Sequence, residues 1–311
     1  MPQQKGRRWP RDVLGIILLF AVYVATALLG LRMGAVAGFA TLVWPPTGIS
    51  LAALLLFGRQ LWPGVLLGAL CANLLVGASI PEALGIAAGN TGEALVGWWL
   101  LSEVAGFHSR LERVRDIVYL LLAGAVSTAL SAAVGVSSLR LGGAVSPELT
   151  WPALRAWWLG DLLGDLVVAP TLLVWIARPP FARRRFFLVE ALLLAGALVS
   201  MGFVVFGRSP GPAGLLQGPY MVFPVLLWAA VRFAQYGASS GTLLLSAVAI
   251  ACTAGGQGPY ARGTLAESLL FLQAFLGVVS ATALTVATAI AERARAVDAR
   301  DEFLAIASHE L

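Results

Sequence analysis

The sequence predicts an all-α protein, a polytopic membrane helical bundle of about eight to ten transmembrane helices that ends in a cytoplasmic signalling helix. Three observations carry this prediction. Of the 311 residues, 59% are hydrophobic and only 12% are charged, against about 25% charged in a typical soluble domain. So little charge cannot cover the surface of a water-soluble globule of this length. The apolar residues also fall in long, nearly unbroken blocks, which selects helices over an alternating barrel, because a helix satisfies its backbone within one segment. The basic residues, finally, are distributed unevenly between alternate connections.

At the N-terminus, Lys5, Arg7, Arg8 and Arg11 precede an apolar stretch over 13–31. A secretion signal has the same charge order, but its apolar region is only about 7–15 residues long and ends at a small-residue cleavage site. This stretch is longer and lacks such a site, so residues 1–11 read as a cytoplasmic tail before a retained first helix. Ten apolar segments follow in all, near 12–32, 35–57, 61–78, 82–102, 114–140, 156–177, 186–206, 219–233, 237–255 and 267–291. The second holds Trp44-Pro45-Pro46-Thr47-Gly48, which is expected to break or kink a helix. The eighth is short for a full span and has Pro224 in its first turns. If segments two and three, or eight and nine, form a hairpin that does not cross, the count falls to eight. Both counts are even and leave both termini cytoplasmic.

With the N-terminus inside, ten spans put only Arg32, Arg140, Arg155, Arg208 and Arg262 outside, of 21 Lys and Arg in total. That ratio follows the positive-inside rule. The net charge of +5 is therefore assigned to topology, with the lipid bilayer as partner and no nucleic acid. Cys71 and Cys252 lie in separate apolar runs and read as packing residues, neither a disulfide framework nor a metal site. A faint echo recurs at an offset of 179: Trp44-Pro45 with Phe223-Pro224, Phe57-Gly58 with Tyr236-Gly237, and Gly77 with Gly256.

Residues 292–311 change character. They are charged and polar, and they continue the last apolar segment without Gly or Pro. Ile290, Ala294, Val297, Asp301, Leu304, Ser308 and Leu311 repeat at intervals of four and three, a heptad seam with a polar position. This predicts a helix that runs from the membrane into the cytoplasm and pairs with a second copy of the chain.

Charged and strongly polar residues inside a membrane are costly and usually mark a site or an internal pair. Asp161 and Asp165 are four apart and share a helix face. Asn90 and Glu93 are three apart on the fourth segment, and Asn73 is on the third. These residues suggest a polar pocket open to the outer face, lined by Trp44, Asn73, Asn90, Glu93, Trp158 and Asp161, for an unknown small-molecule ligand. Simpler readings stand beside it. Interfacial tryptophans anchor helices. Asparagines bond between helices. Asp161 could pair with Arg155 or Arg140, or bond to backbone freed at the Trp44–Gly48 break. Acids favour cations or amines and aromatic rings favour sugars or apolar compounds, so the ligand class stays open.

The most specific stretch is Phe303-Leu304-Ala305-Ile306-Ala307-Ser308-His309-Glu310-Leu311. It resembles the start of the phosphoacceptor motif of sensor histidine kinases. The resemblance implies that His309 accepts the ATP γ-phosphate, with Glu310 as a possible base, and a neutral imidazole near pH 7 is chemically suited to that attack. ATP and Mg are implied only for a kinase domain beyond this stretch, and no cofactor is expected within it. The residues given are expected to be the sensor and linker of a longer enzyme and to be inactive alone.

The membrane part is similar to the MASE1 domain. The resemblance rests on Trp44-Pro45-Pro46-Thr47-Gly48, Gly58-Arg59, Trp62-Pro63-Gly64, Gly68, Asn73, Asn90-Thr91, the run Trp157 to Gly164 with Ala169-Pro170, and Phe223 to Phe233. It covers about 12–291 and implies a membrane sensor in front of histidine kinases and diguanylate cyclases. Taken together, the motifs imply a two-component signalling kinase in a bacterial inner membrane, coupled to a response regulator. A transporter or channel-like solute-binding protein is the alternative, supported by the many spans, the proline breaks and the intramembrane acids.

Overall fold

The computed structural model describes residues 9–32, 35–36, 40–41, 43–179, 186–207, 218–261 and 265–310. Helix α1 (Trp9–Arg32) is followed by a two-residue antiparallel ladder of Ala35–Val36 with Ala40–Thr41. Next comes α2 (Pro45–Phe57), beginning where the sequence led us to expect a break. The first turn of any helix leaves its amides unpaired, so prolines there cost nothing and fix the right φ. Trp44-Pro45-Pro46 is thus a helix start.

Gly58, with φ +104, ends α2. A 3-10 turn over Arg59–Leu61 leads into α3 (Trp62–Leu75), which again has proline in its first turn. Gly77 (φ +93) redirects the chain into α4 (Ile80–Trp99). There the Glu82 carboxylate accepts hydrogen bonds from the Ser79 amide at 2.8 Å and hydroxyl at 2.6 Å, closing the helix start. The end of α4 widens into a π turn over Leu100–Val104. Helix α5 (Val114–Leu141) is followed by α6 (Pro147–Leu163), a second π turn over Gly164–Val168 and α7 (Ala169–Ala177), the last three forming one interrupted rod.

Helix α8 (Phe187–Phe206) precedes α9 (Val222–Ala254), which contains a sharp break at Ala234 (φ 49, ψ −137). A Cβ placed on Gly237 would collide with the carbonyl of Ala229, eight residues back. In a straight helix those residues would be about 12 Å apart. Residues 222–233 and 235–254 are therefore two arms of a tight hairpin, matching the separate eighth and ninth apolar segments. Helix α10 (Leu265–Glu310) runs 46 residues without interruption, about 69 Å at the usual rise per residue.

By length and composition, six helical stretches among the described residues can cross a membrane: Arg11–Leu31, Val114–Leu141, Pro147–Ala177, Phe187–Phe206, Pro219–Ala254, which the break at Ala234 divides, and Glu267–Glu302. Exposed Leu14, Ile17 and Leu18 on α1 and Leu188, Leu192 and Leu193 on α8 fit contact with lipid. Helices α1, α3, α4, α5 and α6 pack in succession, as do α8, α9 and α10, and α10 closes the bundle against α5 and α6.

The two halves meet at a backbone-to-backbone crossing. The Trp44 amide donates to the Gly160 carbonyl at 2.9 Å. A Cβ on Gly48 would strike the Gly164 carbonyl, and one on Gly164 would strike that of Trp44. Only glycine lets the start of α2 sit this close to the second π turn. The echo at offset 179 has a structural counterpart. In both regions a long apolar helix leads to a proline-bearing short helix, a positive-φ reversal, a second helix and a positive-φ glycine, Gly77 or Gly256.

Candidate functional site

The α2–π-turn crossing brings polar side chains from six elements together. Tyr23 comes from α1, Thr47 and Ser50 from α2, Asn90 and Glu93 from α4, Ser127 and Ser131 from α5, Asp161 from α6, and Asp165 from the π turn; all are buried. Local sequence explains their positions. The prolines start α2, with Thr47 in its first turn and Ser50 in its second. Asn90 and Glu93 lie one turn apart on α4, as Ser127 and Ser131 do on α5, so each pair faces the same way.

A continuous hydrogen-bond chain ties α1, α4, α5 and α6. Asn90 Nδ2 donates to Tyr23 Oη at 2.7 Å. The Ser131 hydroxyl bridges Asn90 Oδ1 at 2.8 Å and Asp161 Oδ2 at 3.2 Å. Trp44 approaches the same tyrosine hydroxyl, and Trp157 and Thr47 approach Asp161. Beside this chain lies a cavity of about 10 Å³, bordered by Tyr23, Thr47, Ser50, Asn90, Glu93, Ser127 and Asp165, close to the room one water needs.

Several groups at this cavity lack partners. Neither carboxylate oxygen of Glu93 makes a hydrogen bond, and neither Ser50 Oγ nor Asp165 Oδ1 does so. Thr47, Ser131, Asp161 and Asp165 are near enough to Glu93 to act on it electrostatically, yet none closes a bond of regular geometry. No cation balances these acids among the described residues. The ion pairs there are Arg232–Glu190, Arg295–Glu112 and Arg300–Asp301, all away from the cluster. The alternative pairing of Asp161 with Arg155 or Arg140 does not form among the described residues. Arg155 lies over the Trp151 ring and its Nε has no partner, while Asp161 bonds to Ser131. No three His, Cys, Asp or Glu among the described residues converge as a metal-holding group.

Four of the six residues proposed from sequence meet here: Trp44, Asn90, Glu93 and Asp161. The other two do not. Asn73 Nδ2 bonds back to the Ala69 carbonyl of its own helix at 2.8 Å. Trp158 Nε1 donates to the Ala125 carbonyl at 2.9 Å and fixes α6 to α5. Instead of a pocket open to the outer face, the arrangement is a buried network around a water-sized space. Sequence reasoning omitted Tyr23, Thr47, Ser50, Ser127 and Ser131, and it noted Asp165 only as a neighbour of Asp161. Their signal was present as hydroxyl residues at helical spacing inside otherwise apolar runs.

The same cluster is joined to α10. Ser280 Oγ donates to the Leu166 carbonyl at 2.8 Å, one residue beyond Asp165. Farther along, α4 passes through its π turn into the loop over 105–113, and this loop grips α10. The Leu111 carbonyl accepts from Thr288 Oγ1 at 3.2 Å and from Gln235 Nε2 at 3.1 Å. Glu292 accepts from the Val114 amide at 3.0 Å, and Arg295 reaches both the carbonyl and the carboxylate of Glu112. The last turn of α10 carries His309 and Glu310, whose side chains lie outside the described residues.

The MASE1 family model matches residues 13–294. No curated protein matches the chain, and no solved structure does. The match spans the bundle and its buried cluster, ending just past the Glu292 contact, and the chain belongs to the MASE1 family, membrane sensor domains found in histidine kinases and diguanylate cyclases.

Proposed function

We propose that this chain is the signal-input part of a two-component histidine kinase in a bacterial inner membrane, with both termini cytoplasmic and His309 as phosphoacceptor. The observation that carries the reading is the unbroken course of α10 from Leu265 to Glu310, combined with the phosphoacceptor-like sequence at its end. A change at the buried cluster reaches α10 through Ser280 and through the loop over 105–113. A rigid helix transmits it as rotation or translation. Ile290 and Val297, on the heptad seam, are exposed along the chain, and a second copy covers them in the proposed homodimer. A ligand shifts such an equilibrium only by its different affinity for the two states.

The test is a chimera in which residues 1–311 precede the remainder of a histidine kinase. Inserting one residue beside Val297 rotates His309 by about 100° relative to the bundle and should uncouple autophosphorylation from the signal, while a heptad insertion should restore it. Unchanged signalling after both single and double insertions would refute rigid coupling. A transporter reading draws support from the three buried carboxyl groups within the bundle, which pair with no Arg, Lys or His among the described residues. It predicts solute uptake by vesicles containing the chain, with no dependence on α10 beyond 291.

A further inference from the structure

The cavity beside Glu93 has a size, a chemistry and a charge that together specify an occupant. Its volume of about 10 Å³ excludes metabolites, which need pockets of about 300–1,000 Å³. Its polar border is dominated by oxygen: hydroxyls from Tyr23, Thr47, Ser50 and Ser127, and carboxylates from Glu93 and Asp165. Glu93 is 3% exposed and both of its oxygens are unpartnered, as are Ser50 Oγ and Asp165 Oδ1. A buried polar atom without a partner is costly, and several of them around one small space point to something held between them.

Charge narrows the choice. Glu93, Asp161 and Asp165 act on one another electrostatically with no Arg, Lys or His among the described residues paired to them. At membrane depth each such acid carries either a proton or a counter-charge. A chelated divalent ion would need several convergent carboxylates, and no such group forms among the described residues. Glu93 is the one acid there with both oxygens unpartnered, and with four hydroxyl residues around the same space the site suits a monovalent hard cation. The setting also fits, because an interrupted helix near the middle of a bundle is where transport proteins hold coupling ions.

We propose that this cavity binds one small alkali cation, Na+, with Glu93 as the charged ligand and Ser50 and Thr47 among its neutral oxygen ligands. A carboxylate is a strong-field ligand, which favours Na+ over the larger K+. The proposal rests on the same cluster that serves as the input site above, and it names what that site senses or requires. Because Asp165 is in the π turn whose Leu166 carbonyl bonds Ser280, occupancy by Na+ would set the position of the turn against α10.

The experiment uses the 311-residue chain in lipid nanodiscs, with NaCl, KCl or choline chloride at equal ionic strength. Thermal unfolding should occur about 2–4 °C higher in saturating Na+ than in choline, with a smaller shift in K+. Ser50→Ala should weaken the apparent affinity about tenfold, as expected for one lost oxygen ligand, and Glu93→Gln should abolish the shift. Equal melting in Na+ and choline would overturn the proposal. Equal shifts in Na+ and K+ would overturn the assignment to Na+. A full shift retained in both variants would place the ion elsewhere; if Glu93→Gln fails to fold, Ser50→Ala decides alone. A chain that binds Na+ as described but leaves a fused kinase unresponsive would refute the sensor reading and leave the ion site standing.

Discussion

Residues 44–77 and 223–256 share one plan and differ in what fills it. Each starts with an aromatic-proline pair, reverses at a positive-φ residue and ends at a positive-φ glycine. In the first, α2 meets α4, α6 and the π turn through Thr47, Ser50, Glu93, Asp161 and Asp165. In the second, the hairpin of α9 packs against α8 and α10 with Leu198, Leu226, Leu245, Leu272 and Leu276. Its buried polar residues are Gln, Ser and Thr, and no carboxylate is buried there among the described residues. Even the groove between α8 and α9, near 250 Å³, is apolar, bordered by Phe187, Leu194 and Phe233. The second region shows that the plan folds without buried acids. Those acids belong to α4, α6 and the π turn rather than to residues 44–77 themselves, so the shared plan does not require them, and that is the strongest physical ground for giving them a functional role.

The largest expected effect tests what the regions share. Gly48→Leu and Gly237→Leu each force a side chain into backbone, at Gly164 and at Ala229. Each should cost about 3 kcal/mol, read as loss of folded protein in the membrane and a lower melting temperature. If either variant folds as wild type, the close approach at that site is not needed.

The second prediction separates the regions. Glu93→Gln removes one of three neighbouring acid groups and should not lower the melting temperature in Na+-free buffer. It should still abolish the response of the chimera. Ser246→Ala, which trims a buried and unpartnered hydroxyl on α9, should leave the response intact. A third, smaller effect concerns transmission. Glu292→Gln with Arg295→Gln should cost under about 1 kcal/mol of stability, since these groups are exposed, but should weaken coupling between bundle and tail; full coupling in the double variant would remove the loop over 105–113 from the route. Least of all, Arg232→Ala should cost at most about 1 kcal/mol, because the Arg232–Glu190 pair is partly exposed, at 23% and 31%. Arg232 is held bidentately by Glu190.

Much of the fold was legible because apolar blocks and prolines report directly on helix extent. Pro45-Pro46 marked the start of α2, and the gap between segments eight and nine marked the reversal at Ala234. The site was legible only in part. An acid within an apolar run is conspicuous, so Glu93 and Asp161 stood out. Ser50 and Ser131 did not, because a Ser or Thr hydroxyl inside a membrane helix commonly bonds to its own backbone, as Thr91 does to Ala87, and Tyr23 did not, because an aromatic residue in an apolar run reads as packing or anchoring. Which hydroxyls turn instead toward the acids depends on the Gly48–Gly164 approach, a long-range contact that no local pattern encodes. Asn73 and Trp158 have chemistry that suits a pocket, but their side-chain N–H groups bond to helix backbone at Ala69 and Ala125.

In the proposed function, the acid cluster packed against α2 governs the helix that carries His309. The most direct measurement is autophosphorylation of the chimera in nanodiscs, in Na+ and in choline, for wild type, Glu93→Gln and Ser246→Ala. Wild type and Ser246→Ala should respond alike to Na+, and Glu93→Gln should hold one level in both salts. Equal responses from all three proteins would contradict the account.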